Sequence, residues 1–313
     1  YTRALSLSRL AYDLENIISP ALAAILLAFV SYQALFLGTV IGFVGSALLV
    51  VSVVLPSPQP TAPRGIYDRT TRGLRIYLAT PRLRGLLSLN LAAAAAGAMV
   101  LVNTVVLVRS DLSLGEAQVA IALGAFGGGS MLAALLLPRL LDNRPDRPVM
   151  IGGASVLVAS LLGLSLMSLI YDTQWVSLLA GWLIIGIGYS TVLTPSGRLL
   201  KRSAHAEDRP AVYAAQFALS HACWLVTYPL AGWLITVAGP TTAFAVLALL
   251  AATGLFGGVI LWTRDDTGTF EHTHDDLPDD HPHVQDGRSH SHPIVIDDYH
   301  QHWPRMREPE VGQ

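Results

Sequence analysis

Eight stretches of the chain stay apolar long enough to cross a bilayer core, a distance that takes about 20 residues of helix. They run over 9–31, 33–55, 85–108, 116–138, 149–171, 174–195, 210–236 and 241–262. The pattern predicts an all-α integral membrane protein with eight transmembrane helices in this chain. Several stretches contain Gly or Pro, which membrane helices tolerate because neighbouring groups re-satisfy the freed backbone. Tyr171, Trp175, Trp182, Trp233 and Trp262 fall near the proposed ends or one turn inside, as interfacial rings would.

The polar connections supply the orientation. Arg3 and Arg9 precede the first stretch, and six arginines lie in the connection before the third. Arg139, Arg144 and Arg147 follow the fourth stretch. Arg198, Lys201, Arg202 and Arg209 follow the sixth. With the four arginines of the tail, nineteen basic residues fall on one side of the predicted topology; Arg109 alone falls on the other. The positive-inside rule then puts the 57–84 connection and the tail in the cytoplasm of a multi-pass inner-membrane protein.

Composition agrees with a bilayer environment. The chain is 52% hydrophobic and 13% charged, against about 25% charged in soluble domains. The net charge of −2 hides a division. Residues 1–263 carry sixteen basic and ten acidic residues, whereas 264–313 carry four and twelve. The tail is therefore a separate compositional region. It holds four His-x-His pairs: His272/His274, His281/His283, His290/His292 and His300/His302. Acidic pairs at 275–276, 279–280 and 297–298 accompany them. Neutral imidazole suits Ni, Zn, Cu and Fe, and carboxylates can complete a shell; the absence of cysteine from the tail argues against Cu(I). Low hydrophobicity and Pro278, Pro282 and Pro293 predict a mostly disordered tail that gathers around an ion, with 293–296 as one short strand. The competing reading is a solvated acidic tail with incidental histidines. Cys223, the lone cysteine, lies in an apolar run and reads as a packing residue.

Ionisable groups inside a span cost about 2.5–3.5 kcal/mol on insertion scales, so they usually face a cavity or a partner. The candidates are Asp13, Glu15 and His221. Asp13 also fits a helix-end ion pair with Arg9, four residues before it. Glu15 fits a coupling role or a buried acid satisfied by Asn16. His221 fits proton exchange or a structural hydrogen bond. Asn90, Asn103, Tyr189, Ser190, Thr191 and Thr194 are either cavity groups or interhelical hydrogen-bond formers. The "AFGGGS" run at 125–130 lacks the lysine of a phosphate loop and sits within a span, so close helix packing explains it better. No nucleophilic triad stands out, so the reading is not an enzyme.

Two motifs carry a family resemblance. In the first stretch Ser6, Glu15, Ser19, Pro20, Ala23 and Ala24 align with a Gly-x8-Gly-x3-Gly-Pro-x2-Gly-Gly signature, small residues replacing most glycines and Glu15 departing from it. "LLDNRPDRPVM" at 140–150 keeps Asp142 and the basic Arg144 and Arg147 of an Asp-Arg-x-Gly-Arg-Arg loop but lacks its glycine, and Asp146 falls within the same loop. With these motifs, the chain resembles the major facilitator superfamily over about residues 1–263. The resemblance implies two six-helix halves, of which this chain would hold helices five to twelve, four more preceding it. Residues 1–56 would then end the first half, 57–84 would be a basic cytoplasmic connecting loop, 85–263 the second half and 264–313 the tail. It also implies that 140–150 is a charge latch on the cytoplasmic side, and that Asn90, Asn103, Tyr189 and Thr191 stand on cavity-lining helices. The tail resembles the histidine-rich ends of nickel-resistance exporters in that superfamily.

The expected function is proton-coupled export of a divalent transition metal, nickel or cobalt first and zinc next, with ions bound at the tail and no tightly held cofactor. Partners would be the lipid bilayer and the transported ion or solute, with no nucleic acid, and the protein would be a monomer. An organic-solute or drug exporter with a regulatory tail is the alternative. A non-transporting metal sensor is the alternative from another class.

Overall fold

The computed structural model describes Leu10 and residues 32–52, 65–263, 269–273, 289–298, 300 and 303. The first predicted span and much of the tail lie outside the described residues. The second is helix α1, Tyr32–Ser52, apolar on every side and exposed from Phe36 onward except at the half-buried Gly45.

The basic connection departs from expectation, because it contains a helix. α2 spans Ile66–Ala79 and places Arg72, Gly73, Ile76 and Tyr77 on a buried face. Gly73 makes that face possible: a Cβ there would collide with the backbone of Ala211. The helix stops for a local reason. Thr80 precedes Pro81, and the proline ring disfavours helical geometry in the residue before it. Thr80 is accordingly extended, and Pro81 opens the next helix at its first position, where no N–H is needed.

α3, Pro81–Val106, is the centre of the described bundle and widens into a π-turn over Leu107–Asp111. Its alanine run, 92–96, is buried throughout and presents a smooth surface to neighbouring helices. α4 (Glu116–Asn143), α5 (Asp146–Tyr171) and α6 (Trp175–Leu193) follow with short connections. Asp172 takes a φ of 59° and turns the chain from α5 towards α6. After the short α7 (Ser196–Arg202), α8 runs from Arg209 to Leu261. It comprises the last two predicted spans. They meet at Gly239, whose φ of 77° and ψ of 175° break the helix just before Pro240. That region of φ/ψ space is open essentially to glycine.

Small residues set the helix spacings. A Cβ on Gly129 of α4 would strike the Leu183 carbonyl of α6, and one on Gly186 of α6 would strike the Phe126 carbonyl of α4. The glycine-rich run at 125–130 is therefore a packing surface, as expected. Two of the expected interfacial rings are core residues instead. Trp182 is wholly buried and donates its indole N–H to Thr104 Oγ1 at 2.8 Å, while Trp262 packs against Gly85. Their hydrogen-bonding and packing partners inside the bundle outweigh the attraction of the interface.

The tail is ordered where it is described. β1 (Thr269–Thr273) and β2 (Ser289–Pro293) form an antiparallel ribbon. The 293–296 run was expected as one short strand, but β2 ends at Pro293 and Ile294 and Ile296 are buried beyond it.

Candidate functional site

One face of the bundle is built from rings. Tyr189 of α6 lies between Phe126 of α4, with centroids 5.4 Å apart, and Trp224 of α8, at 6.3 Å. Trp224 continues to Tyr228 at 4.8 Å. Phe217, His221, Trp224 and Tyr228 recur at helical spacing and so share one stripe of α8. Gly97 of α3 leaves room for the wall, since a Cβ there would lie 2.5 Å from the Trp224 ring and 3.2 Å from Tyr189.

His221 is exposed and stacks on Phe217 at 3.9 Å. Its Nδ1 lies 2.8 Å from the Phe217 carbonyl oxygen and must donate to it. Asn90 stands seven residues before Gly97, on the same face of α3. It is buried, and its Nδ2 has no hydrogen-bond partner. Such a group usually signals a missing ligand or water.

Two other predicted polar residues do different work. Asn103 is wholly buried and donates from Nδ2 to the Ala231 carbonyl at 3.0 Å, tying α3 to α8. Thr191 bonds the Ile187 carbonyl of its own helix, and its side chain meets Gly153 of α5. It is two residues from Tyr189, about 200° round the helix, so its place is the α5–α6 contact and not the ring wall. Ser190 and Thr194 are buried within 3.3 Å of each other.

The tail side of the bundle is fastened by arginines. In the predicted latch, Asp142 and Arg144 are exposed. Asp146 is the buried acid, held by Arg198 Nε at 2.9 Å and again by Arg198 Nη2, with Arg202 at 3.7 Å. Arg147 donates to the carbonyls of Val259 and Trp262 at the end of α8. The latch therefore joins helices within the described bundle. Sequence reading missed a further cluster. Arg72 forks onto Asp208 with contacts of 2.5 and 2.8 Å and reaches Asp298 at 2.5 Å. The hydrogen bond to Asp208, against the opposing effect of burial, holds the Arg72 proton more tightly than usual, and Asp298 adds to it. Nearby, burial pushes the Tyr77 phenol well above its ordinary range, and its hydroxyl donates to Gln216.

Two segments of the chain, residues 1–170 and 86–285, match the Major Facilitator Superfamily. The chain belongs to that family. It is thus a multi-pass membrane protein and a secondary transporter, and the family is one of transporters and not of enzymes. No curated protein matches the chain. Within this major facilitator chain, the helix-five motif (Ser19, Pro20, Ala23, Ala24), Asp13 and Glu15 lie outside the described residues, as do His274, His281, His283 and His302. The ring wall brings Tyr189 and His221 onto one face with Trp224, and Asn90 shares a face of α3 with Gly97, which abuts that wall. Among the described residues no three His, Cys, Asp or Glu side chains converge to hold a metal ion. His300 is buried, and its Nδ1 sits 3.0 Å from Asp297 Oδ1.

Proposed function

We propose that this transporter exports a divalent transition metal, nickel or cobalt first and zinc next, coupled to protons and fed by its tail. The supporting observation is the ribbon register. His272 pairs with His290, and Phe270 with His292. Positions two apart along a strand share a face, so three histidines occupy adjacent register positions on one side of the ribbon. Directly opposed positions have Cβ atoms about 5 Å apart, a spacing that suits shared ligation. The proposed ligands are His272, His274, His281, His283, His290, His292, His300 and His302. Glu15, Asp13 and His221 are the proposed coupling groups. The basic side, and the tail with it, faces the cytoplasm of the inner membrane.

The ring wall favours a second reading, an organic-solute exporter. Rings together with an unpaired amide such as Asn90 Nδ2 suit an amphipathic molecule better than a bare ion. Cells expressing the whole protein separate the readings. Lower nickel accumulation supports the first; resistance to organic compounds without any metal effect supports the second; absence of flux leaves a metal sensor. A 264–313 peptide should bind nickel or zinc at pH 7.5 and lose it towards pH 5, because protonated imidazole cannot ligate. Calorimetry showing no pH-dependent binding would remove the metal reading.

A further inference from the structure

The tail segment after β2 grips three separated parts of the fold. Ile294 and Ile296 are 3% and 4% exposed, an alternation expected of extended chain lying on a surface. Asp297 then turns the chain. Its Oδ1 accepts from the His300 N–H at 2.7 Å, and its Oδ2 lies 3.3 Å from His205 Nε2 in the α7–α8 connection. Asp298 meets Arg72 of α2, which itself holds Asp208 at the start of α8. Beyond the turn, Trp303 lies 5.3 Å from the guanidinium of Arg82, at the head of α3. A cleft of about 210 Å³ remains between the segment and α2, lined by Arg72, Arg75, Ile76 and Ala79 on one side and 296–298 on the other.

α2 lies in the connection between α1 and the bundle that follows. Alternating access rocks helical bundles against one another. A contact that binds α2 to the α7–α8 connection makes part of that linkage rigid with one bundle. An apolar pair followed by two acids matches the surface that receives it, Ile76 beside Arg72, in both polarity and charge. We propose that residues 294–298 are a conformational strap: docked, they add to the contacts that hold α2 against the bundle and slow the cycle; undocked, they loosen that hold. The device works whichever solute is carried.

The test uses the whole protein in lipid nanodiscs with native cysteines replaced. Ile76→Cys and Ile296→Cys should be bridged readily by oxidation or a short bismaleimide. A third thiol, Phe217→Cys on the ring face, reports the cycle through its rate of labelling by a small maleimide. Bridging should slow that labelling at least fivefold, and reducing a disulfide bridge should restore it. The open variant, Ile296→Asp with Asp298→Ala, should exchange the amides of α2 at least tenfold faster than wild type and label faster at Phe217→Cys. Failure of the pair to bridge, equal labelling with and without the bridge, or unchanged α2 exchange in the open variant would each overturn the strap.

Discussion

Replacing Asp146 with alanine removes a carboxylate that is 2% exposed and leaves Arg198 and Arg202 without their acid. Hydrogen bonds to charged groups contribute about 1.5–3 kcal/mol each. Arg198 makes two such contacts to Oδ1. Its side chain is 27% exposed and that of Arg202 31%, so both regain some hydration when the acid is lost. Taking the low end for two contacts gives about 3 kcal/mol. For a protein of this size each kcal/mol moves the melting temperature by about 2–4 °C, so Asp146→Ala should melt roughly 6–12 °C lower. Tryptophan fluorescence during heating in detergent is a suitable assay, because Trp182 and Trp262 are wholly buried. Asp146→Asn keeps the shape and should lose nearly as much, which assigns the effect to charge. Asp142→Ala, at an exposed position, should change stability by no more than about 0.5 kcal/mol. A melting point for Asp146→Ala within 2 °C of wild type, or an equal fall for Asp142→Ala, would refute the reasoning.

Further outcomes are open to measurement. Gly186→Val should prevent close approach of α4 and α6 and cost more than about 3 kcal/mol, while Gly152→Val, with nothing within 4 Å of its Cβ, should be nearly neutral in the same melting assay. Gly239→Ala also meets no atom within 4 Å, yet should cost about 1–3 kcal/mol through backbone geometry alone; equal stability would show that the break relaxes. An engineered cysteine beside Asp172 should react with an impermeant thiol reagent added outside cells, and one at Ser57 should not. The reverse pattern would invert the proposed orientation.

The long helices from α3 onward were legible because each is an apolar run bounded by charge, Gly or Pro. The observed bounds of α3 to α6 lie within a few residues of those expected. α2 was not recognised, although Gly73, Ile76 and Tyr77 recur at helical spacing. Its arginines had been counted as loop charge, and Arg72 finds its acid 136 residues away, at Asp208. Distance also hid the strap: Arg72 and Asp298 are 226 positions apart. Ile294 and Ile296 stood out as apolar in a polar tail, but nothing local named the surface that would cover them. In the latch the motif drew attention to Asp142, whereas burial selects Asp146, four residues on. Thr191 shared a helix with Tyr189 and was grouped with it, and only the packing of Gly153 shows which side of α6 it occupies.

The turns on the rim opposite the tail are short. Only 112–115 separate the π-turn from α4, only 172–174 separate α5 from α6, and a single glycine joins the two limbs of α8. On the proposed orientation this rim faces away from the cytoplasm. An antibody or a protease needs a protruding loop to engage, and these turns give it almost nothing to grip. Detection of this rim will therefore depend on small reagents or on an inserted epitope. The three-residue turn at Asp172 is a better place for such an insertion than Gly239, where lengthening the chain would uncouple two spans that now turn about one residue.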